Sequence, residues 1–594
     1  MDNRKGTQLR RFQTIYKALL RWSAALLAEI FVLWTLLQYM VRERDYLRYQ
    51  KWIGVAILTA AAVYVAFTAL TDREELSRIR ASLRRMCSLE QIMLVLLLLW
   101  YILDCAVRSR LDGQPLFKFN DNRLFMFTLT VFLFFPFAEL MGSHAKRMME
   151  AMLHLTMAVY TPITVWCIWK YYNVEFFAFP SGYWMASYRE TVSMKMGGNV
   201  NVTASAAVIL FGLSLYMLLT HKGLVRIIYS LTAIVYFCAE LLTNSRTSFL
   251  ALSCVSVAAA VLFMWDKLET RKLSQRIGGA AIGALLAVVI VIGVQSLLFR
   301  MFAHVYPTFL EINAQRAAAQ EAARQEAEAK AAAEAEAEAQ AQAAIEAAEA
   351  AEMAGTAQTA ESAEYAEDVE PAETTAERHV KYWMERALQK AEEQEQQSTA
   401  PQTANSPATG NAQGVNSPAA KTENSGESKL VRATDDVTET GARKMTDMGG
   451  RTLVWKVAVK IICSSPDHMI FGVSPCYVAS RLQKEGQLGE NVSHAHNGLL
   501  QVAIGLGIPA MLLFMIFELG IIARCLTIVF KGRGIPFRYS WIIPVIIAGI
   551  LLTELVESMI FLMGRVNVPA FYMLAGCTVR ICRQIKARRQ TSGD

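Results

Sequence analysis

The chain has 594 residues, 54% hydrophobic and 19% charged, and its mean hydropathy of +0.27 exceeds what a wholly water-facing surface allows. An ordinary soluble enzyme is thereby excluded. The net charge of +7 gives no reason to expect nucleic acid as a partner, so the informative question is where Lys and Arg fall relative to the apolar runs.

Those runs recur at bilayer length. In chain order they centre on Ala18–Met40, Trp52–Thr71, Gln91–Val107, Leu124–Met141, Ala151–Tyr171, Val202–Thr220, Ile227–Leu242, Ser248–Trp265 and Ile277–Phe299. After a long hydrophilic insertion come Leu499–Ile522, Trp541–Phe561 and Val566–Ile581. Twelve membrane-spanning helices are expected, in an all-α polytopic protein bound to the lipid bilayer. Arg4, Lys5, Arg10 and Arg11 precede the first run, which has span length and no small-residue cleavage site, so it is expected to stay as a helix.

With the N-terminus inside, one set of alternating loops contains Arg73–Arg85, Lys146–Arg147, Lys222–Arg226, Lys267–Arg276, Arg524–Arg538 and Arg580–Arg589. These are the Lys/Arg-rich loops, as the positive-inside rule requires. Both termini are then cytoplasmic, and the insertion between helices nine and ten, 300–497, is extracytoplasmic. Four regions follow: helices one to nine over 1–299, an Ala/Glu-rich helix and linker over 300–448, an ordered outer segment over 449–497, and helices ten to twelve with a tail over 498–594.

Within the insertion, 22 of the 41 residues from Ala314 to Ala354 are Ala and nearly all others are Glu, Gln, Arg or Lys. That composition favours helix. Only Ile345 and Met353 are large and apolar there, so the a/d stripe of a coiled coil is missing and a single solvated helix is expected. Glu377–Gln397 has apolar residues at helical spacing, which predicts a short docking or membrane-surface helix. Ser398–Gly426 lacks large apolar residues and is expected to be disordered.

Order is expected to return at Gly449, where Leu453, Val457, Val459 and Ile461 have helical spacing, followed by a turn punctuated by Pro466 and Gly472. Cys463 and Cys476 share this outer stretch and would be free to pair in an oxidising compartment. The other eight cysteines lie in or beside apolar runs and form no metal-ligand spacing.

The segment carries a Gly-Arg-x-x-x-Trp helix (Gly450 to Trp455), the Pro466–Gly472 turn, and a His-x-His-Asn-x-x-Leu-Gln entry (His494 to Gln501) into a Gly-rich apolar helix. Met194–Leu210 adds a Gly-rich, Asn-containing loop leading into a span, and Asn244–Leu252 a short Ser-Arg turn. In this order the four motifs resemble the O-antigen ligase and polymerase family, over most of the chain outside 309–448.

The resemblance implies a membrane glycosyltransferase of the multi-span GT-C type at the cytoplasmic membrane, acting at its outer face. Its donor is a polyprenyl-diphosphate-linked glycan and its acceptor a hydroxyl of a glycan, lipid or wall polymer. No metal and no cofactor are implied. The chemistry agrees, because a departing diphosphate needs fixed cations, and the guanidinium fork pairs phosphate oxygens bidentately without losing its charge. Arg246 and Arg451 are the expected phosphate contacts, set against a salt bridge with Glu240 for the first and a plain surface position for the second. Lys195 stands where the family has an arginine, with Arg189 six residues upstream, so either is a candidate for that side of the donor. Arg300 and Arg565 fit headgroup or loop anchors.

His496 occupies the motif position and is the first candidate for the catalytic residue, with His494 second, because a neutral imidazole accepts a hydroxyl proton near pH 7. The plain alternative for both is a helix-start loop role. Asn497 either contributes to the site by orienting the imidazole or caps the following helix. His304, His379 and His468 fit loop positions. Asp104, Glu240, Glu554 and Glu557 mark the outer ends of spans, where an ionisable group needs a partner and an arginine would serve. A glycan transporter is the competing class, but it would more often show two related halves and interrupted helices; a membrane anchor presenting the Ala/Glu helix would leave the outer histidines idle.

Cysteine-labelling of intact cells should find Glu311, Ser406 and Glu490 accessible from outside and Arg78, Lys267 and Arg589 only from inside. Cytoplasmic labelling of Ser406 would invert the sidedness.

Overall fold

The computed structural model describes residues 2–36, 43–71, 73–85, 87–111, 122–172, 186–187, 193–194, 200–243, 245–303, 306–359, 451–475, 477–486, 492, 494–532, 539–558, 560–561 and 567–592. The chain is all-α and polytopic, with one two-residue antiparallel ladder, β1 (Ala186–Ser187) on β2 (Ser193–Met194). The first helices are α1 (Asp2–Leu36), α2 (Glu43–Thr71), α3 (Arg73–Arg85), α4 (Leu89–Leu111), α5 (Asn122–Leu129), α6 (Phe137–Leu140) and α7 (Ala145–Tyr172). Then come α8 (Val200–Thr220), α9 (Gly223–Leu242), α10 (Arg246–Lys267), α11 (Leu273–Ala303) and α12 (Tyr306–Thr359). The last are α13 (Arg451–Ile462), α14 (Pro466–Phe471), α15 (Val478–Gly486), α16 (Gly498–Lys531), α17 (Ile542–Glu554) and α18 (Asn567–Ser592).

Among the described residues nine helices are long and apolar enough to cross a membrane. The other three expected runs form helices of a different kind. Over 124–141 the chain is broken into α5, a π-helical turn at Thr130–Phe134 and α6, with Pro136 preceding α6. The run from Trp541 ends as a helix at Glu554, short of Phe561, and the last helix continues past Ile581 into a basic tail. Large apolar side chains such as Leu285, Val289 and Ile292 of α11 stay exposed, as lipid-facing residues do.

α8 is the most buried of the spans. Its small residues explain this: Ala204, Ser205, Ala206 and Ala207 are buried in succession, and a Cβ on Gly212 would stand 2.4 Å from the Ile546 side chain of α17. Without a hydrophobic force between helices in lipid, such close approach supplies the packing energy. It also fixes Asn201, at the start of α8.

α16 is two helices joined at a break. Gly507 has φ +84°, and Pro509 follows. Breaking a helix frees carbonyls, each costing several kcal/mol if left unpaired in an apolar layer. Two of them are met from outside the helix: Val473 N–H donates to Ile504 O (2.8 Å) and the Trp100 indole of α4 donates to Leu506 O (2.9 Å). The Trp100 ring stacks on Phe471, 5.8 Å between centroids, and the Arg108 guanidinium donates to Gly472 O. The turn after α14 thereby seats on the break and closes a small core of Val457, Ala458, Ile461, Val473 and Ile504. On α13 the buried face is Val454, Val457, Ala458, Ile461 and Ile462, whereas Leu453 and Val459, two of the four residues noted for helical spacing, are exposed.

Internal contacts separate 1–313 with 428–594 from 314–427. α12 is longer than expected from composition, 54 residues or about 80 Å at 1.5 Å per residue. Its described side chains are exposed, and Arg324 pairs with Glu321 (2.8 Å) and Glu328 (3.6 Å), contacts contributing only a few tenths of a kcal/mol each. The expected docking helix at 377–397 and disordered stretch at 398–426 lie outside the described residues.

Two outcomes follow. Gly507→Ala should destabilise the protein by more than about 2 kcal/mol, read as a lower melting temperature in detergent, because its Cβ would stand 1.9 Å from the Ile470 carbonyl oxygen at a φ that L residues rarely adopt. Deleting 314–354 should leave membrane protein level unchanged, since that stretch offers no apolar stripe.

Candidate active site

The short helix before the Gly507 break begins at Gly498, and its N-terminus is where the site is built. Asn497 caps it: its Oδ1 accepts from Leu500 N–H (2.9 Å), and its Nδ2 donates to Leu555 O (2.8 Å). The amide is thus spent on the main chain, in the capping role that its side chain suits. Gly498 allows α16 to start here at all, because a Cβ would stand 2.0 Å from Glu554 Oε1. Glu554 in turn accepts from Ile560 N–H (3.0 Å), shaping the turn that carries Glu557.

His496 has φ +51°, unusual for a non-glycine residue. Three ties hold it there. Its N–H donates to His494 Nδ1 (3.2 Å), its carbonyl accepts from the Trp455 indole (3.2 Å), and its Nδ1 meets Glu557 Oε2 (2.9 Å). Backbone strain of this kind, about 1–3 kcal/mol, persists only where surroundings over-determine it.

Glu557 is the centre of the cluster. Its Oε2 receives His496 Nδ1, Asn201 Nδ2 (3.1 Å) and Arg451 (3.3 Å). His494 Nε2 stands 3.1 Å from Oε1. Glu557 is fully buried and lies past the end of α17. Burial pushes its carboxyl up, yet the two imidazoles beside it outweigh that and hold it well below the usual carboxylate range.

These contacts assign the imidazole protons. A carboxylate only accepts, so His496 Nδ1 carries the hydrogen and Nε2 of the neutral ring keeps its lone pair. His494 Nδ1 accepts from a main-chain N–H, which puts its proton on Nε2, toward Glu557. The side chains differ in access as well: 24% exposed for His496 and 3% for His494. Only His496 combines an accessible ring with an Nε2 that no described residue engages.

The donor atoms of His494, His496 and Glu557 lie within 4.8 Å of one another, close enough to consider a metal ion. As the side chains stand, His494 Nε2 faces the carboxylate and a guanidinium lies on the Glu557 oxygen nearest His496, so an ion would have to displace both contacts.

Arg451 is brought to the centre with a side chain 15% exposed, leaving guanidinium nitrogens beyond the one on Glu557. Arg246 is half-buried at the first position of α10, next to Ser245, whose Oγ donates to Asn201 Oδ1 (2.9 Å). The alternative partner offered for it, Glu240, is buried with neither carboxylate oxygen hydrogen-bonded to a described residue. Arg300 is exposed, and Arg189, Lys195, Arg565, His304 and His379 lie outside the described residues. His468 is in α14, with Nδ1 2.7 Å from Ser464 Oγ, instead of in a loop. Cys463 is an exposed free thiol, and Cys476 lies outside the described residues.

Sequence reasoning missed the role of Glu557 and that of Asn201. The signal for the first was present: a glutamate at the end of an apolar run needs a partner. What was missing was which partner, since 61 residues separate Glu557 from His496 and 356 separate it from Asn201.

Residues 413–515 match the family described as O-antigen ligase. The match covers α13, the His494–Asn497 entry and the start of α16, and over this stretch it bears out the resemblance seen in the sequence. The matched stretch is thus similar to a family of glycan ligases, and it lies in a multi-pass membrane protein. No curated protein matches the chain.

Removing the central anion should loosen all of this. Glu557→Ala leaves a buried histidine and a half-buried arginine without their acceptor, so the detergent-solubilised protein should lose on the order of 2–4 kcal/mol, discounted for the access of Arg451 to water. Thermal melting checks this, with His468→Ala as a control expected to change little.

Proposed function

We propose that the protein transfers a glycan from a polyprenyl-diphosphate carrier to an acceptor hydroxyl at the outer face of the cytoplasmic membrane, with His496 as general base. The observation that carries this reading is the Glu557–His496 pair: a carboxylate orients the ring through Nδ1 and leaves Nε2 open on the more accessible of the two clustered imidazoles. The acceptor O–H gives its proton to Nε2 as its oxygen bonds to the anomeric carbon. The bond from that carbon to the diphosphate oxygen breaks, and the diphosphate leaves with the electron pair. The imidazolium formed is stabilised by Glu557, as the carboxylate of a serine-hydrolase triad stabilises its histidine.

Arg451 and Arg246 meet the charge of the departing diphosphate, with Lys195 or Arg189 on the other side of the donor. Guanidinium groups suit this because they need no proton and no metal to hold two phosphate oxygens. His494 serves as a buried support that fixes the main chain of His496. The reaction is metal-independent in this reading.

The interrupted α16 invites the transporter reading, since broken helices present main-chain carbonyls to cargo. Here the freed carbonyls of Ile504 and Leu506 are bonded to Val473 and Trp100. They are not available to a substrate, which favours the ligase.

The test is transfer from a polyprenyl-diphosphate oligosaccharide by purified full-length protein, following released carrier diphosphate. His496→Ala should lower turnover about 10²-fold or more with donor binding nearly unchanged. Arg246→Ala should weaken donor binding and turnover together, and Arg246→Lys should rescue only in part, because a point charge lacks the two-pronged contact. A chelator should leave the rate unchanged. Parental activity in His496→Ala would overturn the assignment.

A further inference from the structure

Asn201 joins two parts of the molecule that the reaction needs in register. Its Nδ2 donates to Glu557 Oε2 (3.1 Å), and its Oδ1 accepts from Ser245 Oγ (2.9 Å). The amide cannot be turned over, because a carboxylate only accepts, so the NH2 group must face Glu557. Ser245 is fixed in its turn: its N–H donates to Thr243 Oγ1 (3.3 Å), and its Oγ is 3.4 Å from Ser248 Oγ. Arg246 follows it directly in the chain.

We infer that Asn201 is a positioning residue, which ties the turn carrying Arg246 to the carboxylate that orients His496 and so holds base and donor site in one geometry. The inference rests on the reading of His496 as base. Ser245, the buried start of α8 and the Glu557 turn form one hydrogen-bonded line across three segments, 44 residues apart on one side of Asn201 and 356 on the other. Small errors in such placement are costly in a bimolecular reaction made intramolecular by binding.

The Asn201 N–H also fixes the carboxylate. Oε2 shares its lone pairs among Asn201, Arg451 and His496. Losing the amide donor removes one of the fixed partners of the oxygen that sets the direction of the His496 ring. The other charged or titratable groups at Glu557 are His494 and Arg451, with Glu554 three residues back along the chain; Arg246 adjoins Ser245.

Initial rates of the full-length protein across pH, with a polyprenyl-diphosphate oligosaccharide as donor, test this. Asn201→Ala should lower kcat about 10-fold while donor KM stays within about two-fold, the split expected when orientation and not binding is lost. Asn201→Asp, which keeps the size and the acceptor for Ser245 but sets a second carboxylate against Glu557, should lower kcat at least as far with the same small change in donor KM. Ser245→Ala should lower kcat in the same direction by less. Parental kcat in both Asn201 variants, or a loss carried by donor KM, while His496→Ala is inactive, overturns the positioning role alone. Parental activity in His496→Ala overturns the base assignment and this inference with it.

Discussion

In an apolar layer a main-chain carbonyl cannot go unpaired, and the active end of this protein exists because that constraint is met at a broken helix. α16 could run straight only by carrying its first turns to a different place. Gly507 lets it bend, and the bend is stable because Val473 and the Trp100 indole take up two of the freed carbonyls. The same solution appears at the interrupted stretch 130–142, where Gln91 donates to Val131 O (3.0 Å) and the Arg580 guanidinium to the carbonyls of Ala138 and Gly142. Apart from the Val473 main-chain N–H, each of these donors is a side chain from another helix, so local irregularity is fixed by tertiary packing.

What the bend delivers is a helix start bearing His496, set against the turn after α17. A single buried carboxylate then organises two imidazoles, a guanidinium and an amide. Such a charge is expensive to bury, and continuum arguments warn that an ion pair of this kind seldom raises stability over an apolar substitute. Its worth lies in directionality. Three donors on one oxygen leave the ring of His496 little freedom to rotate, and in the proposed role of base a ring fixed before its substrate arrives does not spend binding energy on being ordered.

Much of this was legible in the chain. Bilayer-length runs gave the class, and the residues at His494, His496, Arg451 and Arg246 stood out by type and order. Helical periodicity placed α13 correctly but not its inward face: Leu453 and Val459 are on the open side while Val454 and Ala458 are buried. Periodicity registers spacing, and the orientation of a short helix is decided by its partner, here the Gly507 break. Three runs taken as spans became short or polar-ended helices because Pro136, the turn after Glu554 and the basic tail are local events that an averaged hydropathy smooths over. The hub at Glu557 was hidden for a different reason. Its contacts join segments hundreds of residues apart, and pairing across such distances leaves no local mark in one sequence.

The Ala/Glu helix has a mechanical consequence. A helix stabilised by its own residues, with no partner face, behaves as a stiff rod whose length is set by residue count alone. Exchanging Ala, Glu, Gln or Lys among themselves leaves its bending rigidity nearly constant, so this part of the chain is free to drift in composition while keeping its reach. A single proline would be a different event: at a cost of about 3 kcal/mol it would convert the rod into two shorter ones joined by a hinge.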